Sequence, residues 1–162
     1  MNRMSKTSGT SKHLNVLVPE AQLPRENWLA IARVHSLMTK QLDRSLRDID
    51  LTISQFEVLM ILNSKAGLSQ QDLAQCLLVT KGNVCTVLGR MEKNQWIIRQ
   101  QDPHDGRAHC LHLTEKGCDM VKKAAPLAAK QVRLLMDSLT REQQRVLYGL
   151  LDQLEGSLGH WI

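Results

Sequence analysis

The segment DPHDGRAHCLHLT, from Asp102 to Thr114, lies between two apolar segments and is the clearest indication of the fold. Its first half is charged and turn-forming, because proline presets φ and Gly106 takes backbone angles that other residues avoid. A β-prone run at residues 96–99 precedes it, and two leucines follow at the alternate positions of one strand face. The pattern predicts a β-hairpin whose tip carries an exposed arginine, Arg107.

The composition fits a single domain with a polyanionic partner. The 162 residues are 43% hydrophobic, which is enough for a core, and the net charge is +5. Only 3% of them are aromatic, too few for a platform that stacks single-stranded bases. No apolar run reaches the roughly 18 residues of a membrane span, so we expect no membrane partner. The N-terminus lacks the apolar core of a signal peptide, so we expect a cytoplasmic protein with reduced cysteines. Residues 1–20, rich in Ser, Thr and Lys, are predicted to be a flexible tail.

Capping signals mark where helices begin in the rest of the chain. A hydroxyl three residues before Glu, Gln or Asp can satisfy the unpaired N–H groups of a first turn. This pattern occurs at Ser54–Glu57, at Thr140–Gln143 and approximately at Ser69–Asp72, and Thr80 and Thr114 are candidate single caps. The signals predict helices over residues 24–47, 54–65, 69–76, 80–94, 114–137 and 140–158.

Two of these helices, 69–76 and 80–94, are short, close together and followed at once by the hairpin. That order indicates a winged helix-turn-helix, so the predicted fold class is mainly α with a small β-hairpin wing. We expect one domain over residues 21–162. Within it, residues 50–113 form the DNA-binding region, and residues 21–49 and 114–162 are dimerisation helices.

The helix over 80–94 is the predicted recognition helix. At roughly 100° per residue, its apolar residues gather on a core side, and the opposite face carries Gly82 and Gly89. Glycine destabilises a helix by about 1 kcal/mol relative to alanine. A purely structural helix has no reason to carry this cost, so the two glycines favour a helix whose backbone must approach a groove closely. A solvated polar face is the alternative. The predicted DNA-binding residues here are Ser69, Gln70, Thr80, Lys81, Gly82, Asn83, Thr86 and Arg90.

The hairpin tip completes the predicted interface with double-stranded DNA. If the recognition helix lies in a major groove, the tip lies over the neighbouring minor groove. A narrow minor groove concentrates negative potential and attracts an arginine, here Arg107. Asp105, two residues earlier, is placed to hold the guanidinium in a bidentate pair. Both are therefore predicted DNA-binding residues.

The sequence from Ser69 to Gly117 resembles the MarR (multiple antibiotic resistance regulator) family of bacterial winged-helix transcription factors. DGRAHCLHLT is similar to the family's wing signature, Asp-x-Arg before a strand ending in Leu-Thr, and LTEKG is also typical. The resemblance implies a triangular homodimer, interleaved through its terminal helices, that binds palindromic DNA. Most members are repressors released by a small ligand or by thiol oxidation. By this resemblance Arg107, Asp105, Thr86 and Arg90 match DNA-facing positions.

The last predicted helix carries a leucine stripe that favours a dimer seam. Its leucines recur at spacings of four, three and four, which places them along one face. Packing within the monomer is the alternative. The stripe consists of Leu147, Leu151, Leu154 and Leu158.

The predicted function is a sequence-specific transcriptional regulator, a repressor released by a small-molecule effector. The resemblance implies an effector pocket between the dimerisation helices and the winged helix. Trp28, His35 and Glu57 are candidates for it by location, although each could equally pack or be solvated.

Two further interpretations stay open. Cys85 flanks the predicted DNA-facing surface, where oxidation would add bulk and charge, so a thiol-based redox regulator is one alternative. A protein-interaction module that does not bind DNA is the other. The histidines and cysteines of the hairpin lack metal-ligand spacing, so no metal and no cofactor are predicted. Nothing marks a catalytic pocket or an oxyanion hole, so no enzyme activity is predicted.

Overall fold

The computed structural model describes residues 18–77, 79–101 and 109–158. Contacts divide the described residues into two compact units, with the boundary between Ser36 and Leu37. No helix among the described residues is long and apolar enough to cross a membrane. After a 3-10 turn at Glu20–Gln22, the elements are α1 (Leu23–Arg47), α2 (Ile53–Ser64), β1 (Leu68–Ser69), α3 (Gln70–Cys76), α4 (Lys81–Lys93), β2 (Ile97–Gln101), β3 (His109–Leu113), α5 (Glu115–Met136) and α6 (Arg141–Leu158).

The predicted helices α1 to α6 are all present, and each boundary lies within one residue of its prediction. Three of the predicted caps are confirmed. The Ser69 hydroxyl accepts from the N–H of Asp72 at 3.1 Å, and the Asp72 carboxylate accepts from the N–H of Ser69. Thr140 accepts in the same way from Gln143, and Thr114 caps α5. Thr80 stands at the start of α4, but its side chain makes no capping bond.

The predicted cap of α2 is wrong, because the capping box lies two residues earlier than Ser54. Thr52 is the cap: its hydroxyl accepts from the N–H of Gln55, and the Gln55 side chain accepts from the N–H of Thr52 at 3.0 Å. Leu51 explains the shift, because its side chain is wholly buried. The chain turns at Asp50, whose φ is 55°, buries Leu51 and enters the helix directly afterwards.

The hairpin is confirmed and belongs to a three-stranded antiparallel sheet of order β1-β3-β2. β2 pairs with β3 from Ile97↔Leu113 to Gln101↔His109. β1 is a strand that the sequence pattern did not predict, since two residues are too short for any periodicity. It adds Leu68 and Ser69 to the other edge of β3. The fold class is therefore mainly α with a small sheet, and the helix-turn-helix α3–α4 is followed by the wing β2–β3.

One hydrophobic core joins the end of α1, α2, α3, α4, the sheet and α5. α2 contributes to it most heavily, and the side of α4 that was predicted to face the core is buried there. The largest of the fully buried side chains are Leu46, Leu51, Val58, Leu59, Leu62, Leu73, Val84, Leu88, Met91, Ile97 and Leu111.

α6 contributes no buried residue. Leu151, Leu154 and Leu158 of the predicted stripe are exposed, and Leu147 is half-buried. The stripe is therefore not buried within the chain, which disfavours the alternative of packing inside the monomer. In the first unit, taken by itself, Trp28, Ile31 and Val34 of α1 are also exposed.

Candidate nucleic-acid interface

The two sides of α4 differ sharply in burial. Val84, Leu88 and Met91 anchor it, with exposures of 1%, 0% and 0%. The opposite side is exposed at Gly82, Asn83, Cys85, Thr86, Arg90 and Lys93, and Gly89 is half-buried. The core therefore fixes the helix from one side and leaves its polar side to solvent. Lys81 is the first residue of the helix.

The two glycines of α4 are not required by packing. A Cβ built at Gly82 or at Gly89 meets no atom within 4 Å, and neither residue has a positive φ. Alanine would fit at both positions and would favour the helix. The fold therefore gives no reason for glycine there. Close approach of another molecule to the α4 backbone is a reason that remains.

The start of α3 lies beside the exposed side of α4. The side-chain amide of Gln70 donates to the Cys85 sulfur at 2.8 Å. Ser69, the cap of α3, also belongs to the edge strand β1, so the sheet and the helix-turn-helix meet at this residue. Ser69 therefore caps α3 and Gln70 begins it, whereas Asn83, Thr86 and Arg90 lie on α4 of the same helix-turn-helix.

The predicted residues of the wing tip, Asp105 and Arg107, lie outside the described residues. The described hairpin ends at the pair Gln101↔His109. Among the described residues, no group of three His, Cys, Asp or Glu side chains could hold a metal ion. His112 and Cys110 share one face of β3, as the strand alternation predicts, and lie opposite Ile98 and Gln100.

A cavity of about 370 Å³ opens between α2 and the helix-turn-helix. Glu57, one of the predicted effector residues, lines it. Two predicted DNA-binding residues, Asn83 and Thr86, line the wall formed by α4. The other predicted effector residues, Trp28 and His35, are exposed on α1 in the first unit. The cavity is lined by Ser54, Glu57, Val58, Leu77, Val79, Asn83, Val84, Thr86 and Val87.

One polar contact near this surface had no signal in the sequence. Glu92 of α4 and Arg99 of β2 form an ion pair of 3.0 Å. Helical spacing rules predict contacts three or four residues apart on one helix. This pair joins a helix to a strand across a turn, so only the tertiary structure reveals it.

The arrangement defines a winged helix-turn-helix protein. Residues 49–108 match the model of the MarR family. An HTH-type transcriptional regulator of Bacillus cereus, itself uncharacterized, is 32% identical over 128 residues, which cover 78% of this chain and 85% of that protein. The chain belongs to the MarR family of transcriptional regulators.

Other similar proteins carry more specific descriptions. The HTH-type transcriptional repressor IacR of Pseudomonas putida is 26% identical over 125 residues, covering 77% of this chain and 74% of IacR. The apo form of MarR from E. coli is 25% identical, with a TM-score of 0.69 over 85% of this chain and 97% of that one. The transcriptional repressor CouR, solved on a 23-mer DNA duplex, is 25% identical, with a TM-score of 0.75 over 85% of this chain and 98% of CouR.

Proposed function

We propose that this protein is a transcriptional repressor that binds a palindromic DNA operator as a homodimer and is released by a small-molecule effector. The observation that carries the proposal is the exposed side of α4. Its glycines leave open space that packing does not require, and Arg90, Thr86 and Asn83 stand around them. A helix with this side in a major groove can bring its backbone close to the bases.

The polar residues of this side have donors and acceptors that suit DNA. An arginine can form two hydrogen bonds with guanine, an asparagine can pair with adenine, and a threonine methyl can contact thymine. Ser69, Gln70, Thr80 and Lys81 at the starts of α3 and α4 suit phosphate contacts, since helix N-termini attract anions. In the proposal, Arg107 enters a minor groove and Asp105 orients it, with residues 50–113 forming the DNA-binding region.

The proposed homodimer accounts for the exposed leucines of α6. Leu151, Leu154 and Leu158 would be covered by a second copy, and residues 21–49 and 114–162 would supply the dimerisation helices. A two-fold dimer places two recognition helices one DNA turn apart, which is the geometry that a palindrome matches. The similarity to IacR and CouR, both named repressors, supports repression.

The proposed effector would bind near Glu57, in the cavity that α4 shares with α2. Trp28 and His35 remain effector candidates on the sequence alone. Because Asn83 and Thr86 line the same cavity, a ligand there would compete with their DNA contacts. The protein would act by binding and not as an enzyme. Regulation of bacterial genes would place its action in the cytoplasm.

The test is selection of duplex DNA from a random-sequence pool with the purified protein. The proposal expects a palindromic consensus, and fluorescence anisotropy should show tighter binding to it than to a scrambled duplex. The ratio should reach about a thousandfold or more at physiological salt, as for specific regulators. Failure to enrich any duplex would contradict the proposal.

A thiol switch is the second candidate function, and one contact favours it. Cys85 is exposed on α4, and its sulfur accepts the hydrogen bond from Gln70. Oxidation of this thiol would break the bond and add a polar group on the DNA-facing side.

A further inference from the structure

The ion pair between Glu92 and Arg99 connects the recognition helix to the wing. Glu92 lies in the last turn of α4 and Arg99 at the centre of β2. The Arg99 Nε and Glu92 Oε1 atoms are 3.0 Å apart, and about a third of each side chain is exposed. The other ion pairs found among the described residues, Arg25–Glu26, Asp43–Arg47 and Asp119–Lys122, each lie within a single helix.

β2 needs such a connection because it is an edge strand. In the order β1-β3-β2, β3 is its one strand neighbour within the part of the chain that the structure describes. Only Ile97 of its residues is buried. Arg99 lies opposite Leu111, which is 1% exposed, and paired residues of antiparallel strands share a face. Arg99 therefore lies on the core side of the sheet, and Glu92 holds its guanidinium against α4.

We propose that Glu92 and Arg99 are a positioning pair that sets the angle of the wing relative to the recognition helix, and so determines how well both contact DNA at once. The inference rests on the proposed DNA-binding function. Arg99 lies at the centre of β2, two residues before the strand ends at Gln101. An ion pair at the centre of the strand fixes the angle between β2 and α4, so this one contact sets how the wing strands β2 and β3 lie relative to the recognition helix.

A direct DNA contact by Arg99 is the competing explanation, and electrostatics separates the two. If Arg99 binds a phosphate itself, Glu92 competes for it. Removing the Glu92 charge would then tighten DNA binding, because acidic groups near phosphates repel them. If the pair positions the wing, removing either charge weakens binding, although loss of Glu92 makes the protein more basic. The sign of the Glu92→Gln effect is therefore decisive.

The experiment is a double-mutant cycle on the duplex that the wild-type protein selects. The variants are Glu92→Gln, Arg99→Gln, both together, and the reversed pair Glu92→Arg/Arg99→Glu, which keeps the net charge. Each single variant should weaken binding about threefold to tenfold, as for residues that couple through contact. The double variant should be no weaker than either single one. The reversed pair should recover to within about twofold of wild type, since it restores the coupling.

Two further measurements exclude a general loss of structure. An exposed ion pair contributes roughly 0–1 kcal/mol to stability, so the thermal midpoints should barely change. The dependence of binding on salt should keep its slope in Arg99→Gln, whereas a lost phosphate contact lowers the slope by about one. Asp119→Asn is the matched control. Asp119 pairs with Lys122 within α5, and this lysine lowers the pKa of the Asp119 carboxyl. Removing this ion pair should leave DNA affinity unchanged.

Failure of this inference is distinguishable from failure of the proposed function. If the wild-type protein selects no duplex, the proposed function fails. If the wild type binds and Arg90→Ala weakens binding, but Glu92→Gln binds as well as wild type or better, only the positioning role is overturned. The positioning role is also overturned if the double variant lowers DNA affinity by the product of the factors for Glu92→Gln and Arg99→Gln, because the two residues would then act independently.

Discussion

The hydroxyl of Thr114 donates a hydrogen bond of 2.6 Å to the carbonyl oxygen of Gln95. The same hydroxyl accepts from the N–H of Gly117 and so caps α5, while the N–H of Thr114 donates to the carbonyl oxygen of Trp96. Gln95 has a φ of 61°, because the chain reverses there between α4 and β2. One threonine therefore connects the start of α5 to the turn that follows α4.

Gly117→Ala should destabilise the protein. A Cβ at this position would overlap the Trp96 carbonyl oxygen, which is backbone and is held by the bond from Thr114. We expect a loss of about 1–3 kcal/mol in the free energy of unfolding, the usual range for overpacking, measured by urea denaturation. Gly89→Ala is the matched control within another helix, because its Cβ meets nothing within 4 Å. Equal stability of the two variants would contradict the contact.

Local signals in the sequence were sufficient to predict the helices. A cap or an apolar period marks each helix in the sequence, as the caps at Ser69 and Thr140 do, and this made the helices predictable. The error at Ser54 shows the limit of the capping rule. Two hydroxyls lie two residues apart, and burial of Leu51 decides between them. A motif of four residues carries no information about that burial.

Contacts between elements could not be predicted from spacing. β1 forms because β3 offers an open edge to Leu68 and Ser69, and Arg99 meets Glu92 because β2 folds back on α4. The exposed polar side of α4 was predictable, because the period of one helix determines which of its residues face the core and which face solvent. Its partners from other elements, such as Gln70 beside Cys85, were not.

Gly89→Ala should separate stability from DNA binding. Alanine favours a helix interior by up to about 1 kcal/mol, and the space at Gly89 is open, so the free energy of unfolding should rise. The added methyl group would stand on the side proposed to enter the groove, so affinity for the selected duplex should fall. Urea denaturation and fluorescence anisotropy on the same preparation measure both effects. A variant that is more stable and binds DNA as tightly as wild type would show that close approach at Gly89 is not needed.

The protein should be a homodimer at micromolar concentration. Leu151 and Leu154 are exposed on α6, and a second copy would bury them. Light scattering should give the mass of two chains, and Leu151→Lys/Leu154→Lys should shift it towards one, since buried lysine side chains without partners are costly. Gln71→Lys/Gln75→Lys on α3, which adds the same two positive charges at exposed positions outside the proposed dimerisation helices, controls for the change of charge alone. A wild-type protein that scatters as a monomer would rule out both the dimer and the two-fold operator.

Peroxide distinguishes an effector from a thiol switch. If an effector carries the signal, peroxide should leave the wild-type complex with DNA intact, and Cys85→Ser should bind and release DNA as wild type does. If oxidation of Cys85 carries it, peroxide should release the wild type but not Cys85→Ser. The measurement is anisotropy of the labelled duplex before and after treatment and after reduction. If peroxide releases DNA from both the wild type and Cys85→Ser, Cys85 is not the sensor. The exposed thiol of Cys76 would then be tested next.

Arg90 and Arg107 should both contribute to DNA affinity, but in different ways. Arg90 is exposed on α4, and a contact with a base edge there should be worth about 1–3 kcal/mol at the preferred site and less elsewhere. Arg90→Ala would then lower the preference for the selected duplex over a scrambled one. A phosphate contact would instead lower affinity evenly and reduce the salt slope by about one.

Arg107→Ala should weaken binding most at sites flanked by A·T-rich, narrow minor grooves, because an arginine in a minor groove responds to its width and potential. Asp105→Ala should partly reproduce this effect, although it removes a negative charge, since the proposed role of Asp105 is to orient Arg107. Anisotropy on duplexes that differ only in their flanks, in a series of salt concentrations, measures the difference. If Arg90→Ala and Arg107→Ala both bind the selected duplex like wild type, α4 and the wing do not form the DNA interface. The hairpin would then be better explained as a contact for another protein.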